Sequence, residues 1–101
     1  MAARYLQSEG YAILEMNYRC KLGEIDIIAS KKDCMTFVEV KYRKNDRYGT
    51  SLEAVNHKKQ QIIRRVASFY LVSVIHSANV HCSFDVIGID GSEITHLKNA
   101  F

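Results

Sequence analysis

The 101-residue chain contains no proline and only five glycines, so no linker, low-complexity segment or repeat marks an internal boundary. Cys20, Cys34 and Cys82 are isolated thiols without a C-x-x-C pair. Neither a disulfide framework nor a zinc knuckle follows from them, and they read as small core or surface residues. His57, His76, His81 and His96 lack the spacing of a metal-binding pair, and no glycine-rich phosphate loop precedes a helix. No apolar run approaches the roughly 20 residues of a membrane span. The first residues, MAARYLQSEG, lack the apolar core of a secretory signal, which makes the cytoplasm the expected location.

What is there is ordinary for a globular protein: 48% hydrophobic and 25% charged residues, enough for one domain over residues 1–101. The net charge of +3 permits a polyanionic partner without demanding one.

Ala2, Ala3, Tyr5 and Leu6 form a short amphipathic helical pattern that Gly10 ends. YAILEMN then alternates Ala12, Leu14 and Met16 against Ile13, Glu15 and Asn17, as a strand does. GEIDIIA and MTFVEVK are two further strands, with Ser30 to Cys34 short enough to make them a hairpin. From Ser51 to about Val74, Leu52, Val55, Ile62, Ile63, Val66 and Tyr70 recur at helical spacing, with Thr50 and Glu53 as a capping box. VHCSFDVIGID returns to strand periodicity, and EITHLKNAF closes the chain as a short strand or turn. Three consecutive strands favour a meander, and the long helix before the fourth permits a parallel crossover, giving an α/β fold with a mixed sheet flanked by helices.

The two central strands carry charge where apolar residues are expected. Alternation puts Glu24, Asp26 and Ile28 on one face of GEIDIIA, opposite Ile25, Ile27 and Ala29. In MTFVEVK it puts Met35, Phe37, Glu39 and Lys41 together, opposite Thr36, Val38 and Val40. In register, Asp26 meets Glu39, with Lys41 one step further along. Two carboxylates held close in a partly dry site repel unless a cation sits between them. Mg²⁺ or Mn²⁺ suits such a pair, because the hard dication takes carboxylate, water and phosphate oxygens. A lysine beside it can orient the metal-bound water or stabilise charge on a phosphate. The competing reading is a cross-strand salt bridge of Lys41 with Glu39 and Asp26, which contributes little.

GEIDIIA, FVEVKYR, RYGTSLEAV, the KK before an apolar helical stripe, SFDVIGI and LKNAF together resemble the YraN-like family of small predicted endonucleases, over essentially the whole chain. That family is similar to Holliday-junction resolvases and belongs with the PD-(D/E)XK nucleases. The resemblance implies a single-domain restriction-endonuclease-like sheet and phosphodiester hydrolysis of DNA. It implies catalytic roles for Asp26, Glu39 and Lys41, with Asp26 and Glu39 as ligands of Mg²⁺ or Mn²⁺ and Glu24 accessory or flanking. Ile25 stands where the superfamily name has proline. Relatives begin with a longer first helix that carries a glutamate near the metal, so the first helix here is expected to be truncated. A homodimer follows by analogy with resolvases alone.

Lys59 falls near the middle of the helix's apolar stripe, in its second turn, where a lysine needs an acidic or phosphate partner or a path for its stem to water. It is a candidate accessory residue. Arg43, Lys44, Arg47 and Lys58, with the outward-pointing Arg64 and Arg65, can track a nucleic-acid backbone or form a solvated charged face. Tyr42 and Tyr48 are expected to pack on the sheet in preference to stacking on bases. Asp85 is expected to be a hydrogen-bonded structural residue outside the metal site. The alternative to an enzyme is a catalytically inactive nucleic-acid-binding module on the same scaffold, and a third, weaker reading is a small interaction protein.

Overall fold

A computed structural model describes residues 1–43, 55–77 and 79–101. Helix α1 (Ala2–Ser8) leads into strands β1 (Ala12–Cys20), β2 (Gly23–Lys31) and β3 (Cys34–Arg43), followed by helix α2 (His57–Tyr70) and strands β4 (His81–Asp90) and β5 (Glu93–Leu97). Among the described residues the strands form one sheet in the order β1-β2-β3-β4-β5. β1, β2 and β3 are an antiparallel meander, β4 runs parallel to β3, and β5 pairs antiparallel with β4. The mixed α/β architecture, the meander and the parallel crossover all match the order of periodicities in the sequence. Among the described residues no helix is long and apolar enough to cross a membrane.

The sheet is buried on both faces. Ile25, Ile28, Met35, Phe37 and Val86 pack with Ile63, Val66, Ala67 and Tyr70 of α2. On the other side, Ile27, Ala29, Val38, Ile87 and Ile89 pack with Ala2 and Leu6 of α1. Each such aliphatic side chain contributes roughly 1.5–3 kcal/mol when fully buried.

Simple alternation fails at the point that matters most. Ile25 and Ile28, three residues apart, both pack toward α2, whereas Ile27 and Ala29 pack toward α1. The expected grouping of Ile25 with Ile27 and Ala29 is therefore wrong: the faces switch at Asp26, with no change of register against β1. The cause lies across the ladder. Between the pairs Met16↔Ile27 and Tyr18↔Ile25, β1 carries Asn17 at φ 52, opposite Asp26 and with the register unchanged; the register of this ladder shifts further on, between Ile13 and Glu15. Asparagine tolerates this left-handed conformation better than other side chains. As a result Ile13 packs toward α1, while Glu15 accepts a 3.4 Å hydrogen bond from the Tyr70 hydroxyl on the α2 side.

The start of α2 also differs from expectation. Thr50, Leu52 and Glu53 lie outside the described residues, but Asn56 is extended at φ −70, ψ 169 and is itself the N-cap, its Oδ1 accepting from the Lys59 amide at 2.8 Å. The helix thus begins at His57 and not near Ser51, because an asparagine cap satisfies a free amide that a continuing helix would bond internally. Lys59 moves from the second turn to the first. Beyond Tyr70 a π-helical turn, Leu71–Ile75, ends at His76 in a left-handed conformation, φ 62.

Gly23 opens β2 at φ 152, and a Cβ there would lie 2.6 Å from Ile62 Cγ2 and 3.2 Å from Val66 Cγ2. Gly23→Ala is accordingly expected to destabilise the fold by about 1–3 kcal/mol through overpacking against α2. Urea denaturation checks this, and unchanged stability would show that α2 can move away from β2.

Candidate metal centre

The β2–β3 ladder runs from Lys31↔Cys34 to Ile27↔Val38 and stops there. One step further, Asp26 and Glu39 would pair backbone to backbone. Instead the Val40 amide donates to the Asp26 carboxylate, with Oδ2 at 2.8 Å. A side chain takes over the ladder's bond as the strands fork, while β3 stays paired to β4 through Glu39↔Val86, Val40↔Ile87 and Lys41↔Gly88. Asp26 also borders a cavity of about 230 Å³ lined in part by Asn17, Val40 and Tyr42.

Val38 and Val40 pack on the α1 side, so Glu39 lies on the α2 side. There its carboxylate, 10% exposed, meets Lys59 Nζ at 3.2 Å. Burial pushes the Glu39 pKa above the usual glutamate value, and the charge of Asp26 and a hydrogen bond shared with it push the same way; Lys59 opposes them. The two carboxylates are therefore near neighbours across the fork, as expected, at the residue of β2 where the faces switch. Lys41 is half-buried and falls on the face of Glu39 by alternation.

The remaining candidates divide. Lys59 has an acidic partner and also a path to water, its side chain being 49% exposed. Glu24 is drawn away from the pair to Arg19 of β1, 2.9 Å from its Nε, in an exposed cross-strand ion pair. Lys58 is exposed in the first turn of α2, and Arg43 ends β3. Lys44, Arg47 and Tyr48 lie outside the described residues. Tyr42 is 73% exposed and does not pack on the sheet as expected, because β3 leaves the cover of α1 there. Arg64 is not simply outward: its guanidinium lies 4.7 Å from the Phe84 ring centroid and 5.6 Å from that of Phe101. This is a cation–π stack over two rings that are themselves stacked.

The fit to a hard dication rests on this donor set. Two half-buried carboxylates converge, and burial, with the charge of Asp26 beside it, holds Glu39 above its normal pKa, a conflict that a divalent cation relieves. Both donors are oxygen, as Mg²⁺ and Mn²⁺ prefer, and the positions left over suit water and phosphate oxygens. Among the described residues no cluster of three or more His, Cys, Asp or Glu side chains is placed to hold a metal.

Sequence reasoning missed a second acidic system. Asp85, 1% exposed, lies 2.7 Å from Nε2 of His96, whose side chain is 4% exposed. Its Oδ1 accepts from the Ser83 hydroxyl and, at 3.1 Å, from the Asn99 amide; the Tyr5 hydroxyl meets His96 Nδ1 at 3.1 Å. Asp85 is structural and hydrogen-bonded, as expected, but His96 gave no sign of being its partner. The available signal was an aspartate in the apolar run SFDVIGI, which must find a donor wherever the chain next passes.

A family model described as "Uncharacterised protein family UPF0102" matches residues 1–89. A UPF0102 protein of Alkaliphilus oremlandii is 49% identical over 106 residues, covering 100% of this chain and 91% of the relative. UPF0102 proteins of Lachnoclostridium phytofermentans and Desulforamulus reducens are 46% and 43% identical, covering 99% and 98% of this chain and 85% and 87% of the relatives.

Two outcomes follow from the acids. A carboxyl whose pKa is raised on folding adds stability that is complete below the ordinary glutamate pKa and is lost as pH rises through the raised value. The metal-free chain should lose stability over that window relative to Glu39→Gln, as denaturation across pH would record; parallel curves would contradict the raised pKa. His96→Ala leaves Asp85 buried without its main partner and should cost about 3–5 kcal/mol in urea denaturation. A cost below 1 kcal/mol would mean that the Ser83 and Asn99 bonds suffice.

Proposed function

The chain belongs to the uncharacterised family UPF0102, and from its own site we propose that it is a Mg²⁺- or Mn²⁺-dependent nuclease hydrolysing phosphodiester bonds of DNA on a restriction-endonuclease-like sheet. The observation that carries this reading is the meeting of Asp26 and Glu39 at the β2–β3 fork, with a lysine cation against Glu39.

Asp26 and Glu39 would hold the ion. When bound, the ion would acidify a water and offset charge on the scissile phosphate. Asp26 keeps one oxygen on the Val40 amide, which fixes the carboxylate's position. Lys41, on the face of Glu39, orients the attacking water or stabilises charge on the phosphate. Lys59 balances Glu39 in the metal-free chain and lies close enough to the pair to contact a phosphate once the acids are otherwise neutralised. Lys58, exposed beside it, adds sequence-independent attraction for the nucleic-acid backbone, as would Arg43, Lys44 and Arg47.

A second reading has its own observation. With no cluster of three ligating side chains among the described residues, the scaffold can bind nucleic acid without turnover. Calorimetry with Mn²⁺, paired with cleavage of DNA in a clean preparation, separates the two. The nuclease reading expects Mn²⁺ binding that Asp26→Asn abolishes, and cleavage that both Asp26→Asn and Lys41→Ala abolish while DNA affinity persists. DNA binding without cleavage under Mg²⁺ or Mn²⁺ selects the binding module. Cleavage that survives Asp26→Asn removes the assignment.

A further inference from the structure

At the other end of the sheet from Asp26 and Glu39, about 16 Å along β2 at the rise of a strand, lies a second and larger cleft. It has a volume of about 530 Å³ and is walled by the β2–β3 turn, the start of β4 and the segment after β5. Lys31, Lys32, His81 and Lys98 bring basic groups to it from three separate parts of the chain. Among the described residues none of the four forms an ion pair with a carboxylate.

Two further features set this cleft apart from a solvated basic face. Thr36 lines it, is 2% exposed, and its hydroxyl has no hydrogen-bond partner among the described residues. A buried hydroxyl left unpaired is costly, and a ligand acceptor oxygen would satisfy it. Lys32, at the lip, holds φ 55 in a turn so tight that Lys31 pairs with Cys34. Glycine or asparagine is the usual residue for that conformation.

The acids in the wall, Asp33 and Asp85, offset the three lysines only in part. Asp85 lines the cleft, yet both its oxygens are engaged, Oδ1 by Ser83 and Asn99 and Oδ2 by His96. Asp33 is an exposed turn residue. The Tyr11 ring forms an apolar wall, with Lys31 Nζ 5.1 Å from its centroid. A cleft of this size takes more than a bare anion and lies within the range of small-ligand sites.

We propose that this cleft binds a phosphate monoester, its oxygens taken by Lys32, Lys98 and the Thr36 hydroxyl and its organic part lying against Tyr11. The chemistry is shared by a free nucleotide and by the phosphorylated end of an oligonucleotide. It does not depend on the metal centre.

The test is an NMR titration of the metal-free chain, reading the amides of Lys32, Thr36 and Lys98. The probes are inorganic phosphate, a nucleoside 5′-monophosphate, and one oligonucleotide with and without its 5′-phosphate. Saturable shifts with phosphate are expected, with tighter binding of the mononucleotide. The exposed pair Lys32→Gln and Lys98→Gln should weaken its Kd at least about tenfold, a change of roughly one decade in affinity. Asp26→Asn should leave binding unchanged, so failure here and failure of the metal centre are distinguishable. Affinity gained from the 5′-phosphate identifies a nucleic-acid end, and affinity confined to the mononucleotide identifies a free nucleotide; either supports the site. The absence of saturable shifts at these amides, or an unaltered Kd in a double variant that retains its amide spectrum, overturns it.

Discussion

The bond from the Val40 amide to the Asp26 carboxylate is the constraint on which the centre of this molecule depends. It lies where the β2–β3 ladder ends, and it lets two strands part without leaving a buried amide unpaired. Because the bond is made by a side chain, the same carboxylate that closes the ladder also faces Glu39. Position and chemistry are thus set by one group.

The sheet handles its two acidic systems in contrasting ways. Asp85 is surrounded by a histidine, a hydroxyl and an amide, and nothing of its charge is left for another ligand. Glu39 meets Lys59, reached from α2, which is set against burial and a neighbouring carboxylate. One buried acid is thus met by three donors, while the other shares its surroundings with a second carboxylate, and perturbed acids of the second kind are the ones that cluster at functional sites.

Much of this was legible from periodicity. The strand order, the crossover and the meeting of Asp26 with Glu39 follow from alternation and from the short hairpin. What alternation could not give was the switch of faces at Asp26, which stands opposite Asn17, a residue of another strand held in a left-handed conformation. The helix start was misplaced because Thr50 and Glu53 fit a capping box as well as Asn56 fits a single cap. Tyr42 is expected to pack because aromatic residues favour strands, yet among the described residues it is left exposed at the end of β3. His96 was invisible as a partner because its contact with Asp85 depends on β5 pairing next to β4, with Ile87 opposite His96.

The irregularities of β1 have a consequence beyond the placing of Asp26. This nine-residue strand is an outer member of the sheet and exposes Leu14 and Met16. A straight strand of that length and character is a template on which other chains polymerise through their backbones. The register shift beside Leu14 and the reversed φ of Asn17 interrupt that outer row of amides and carbonyls twice within nine residues. Irregularity of this kind is how natural sheets blunt an edge, so the distortion opposite Asp26 also bears on what the flank of the sheet can pair with.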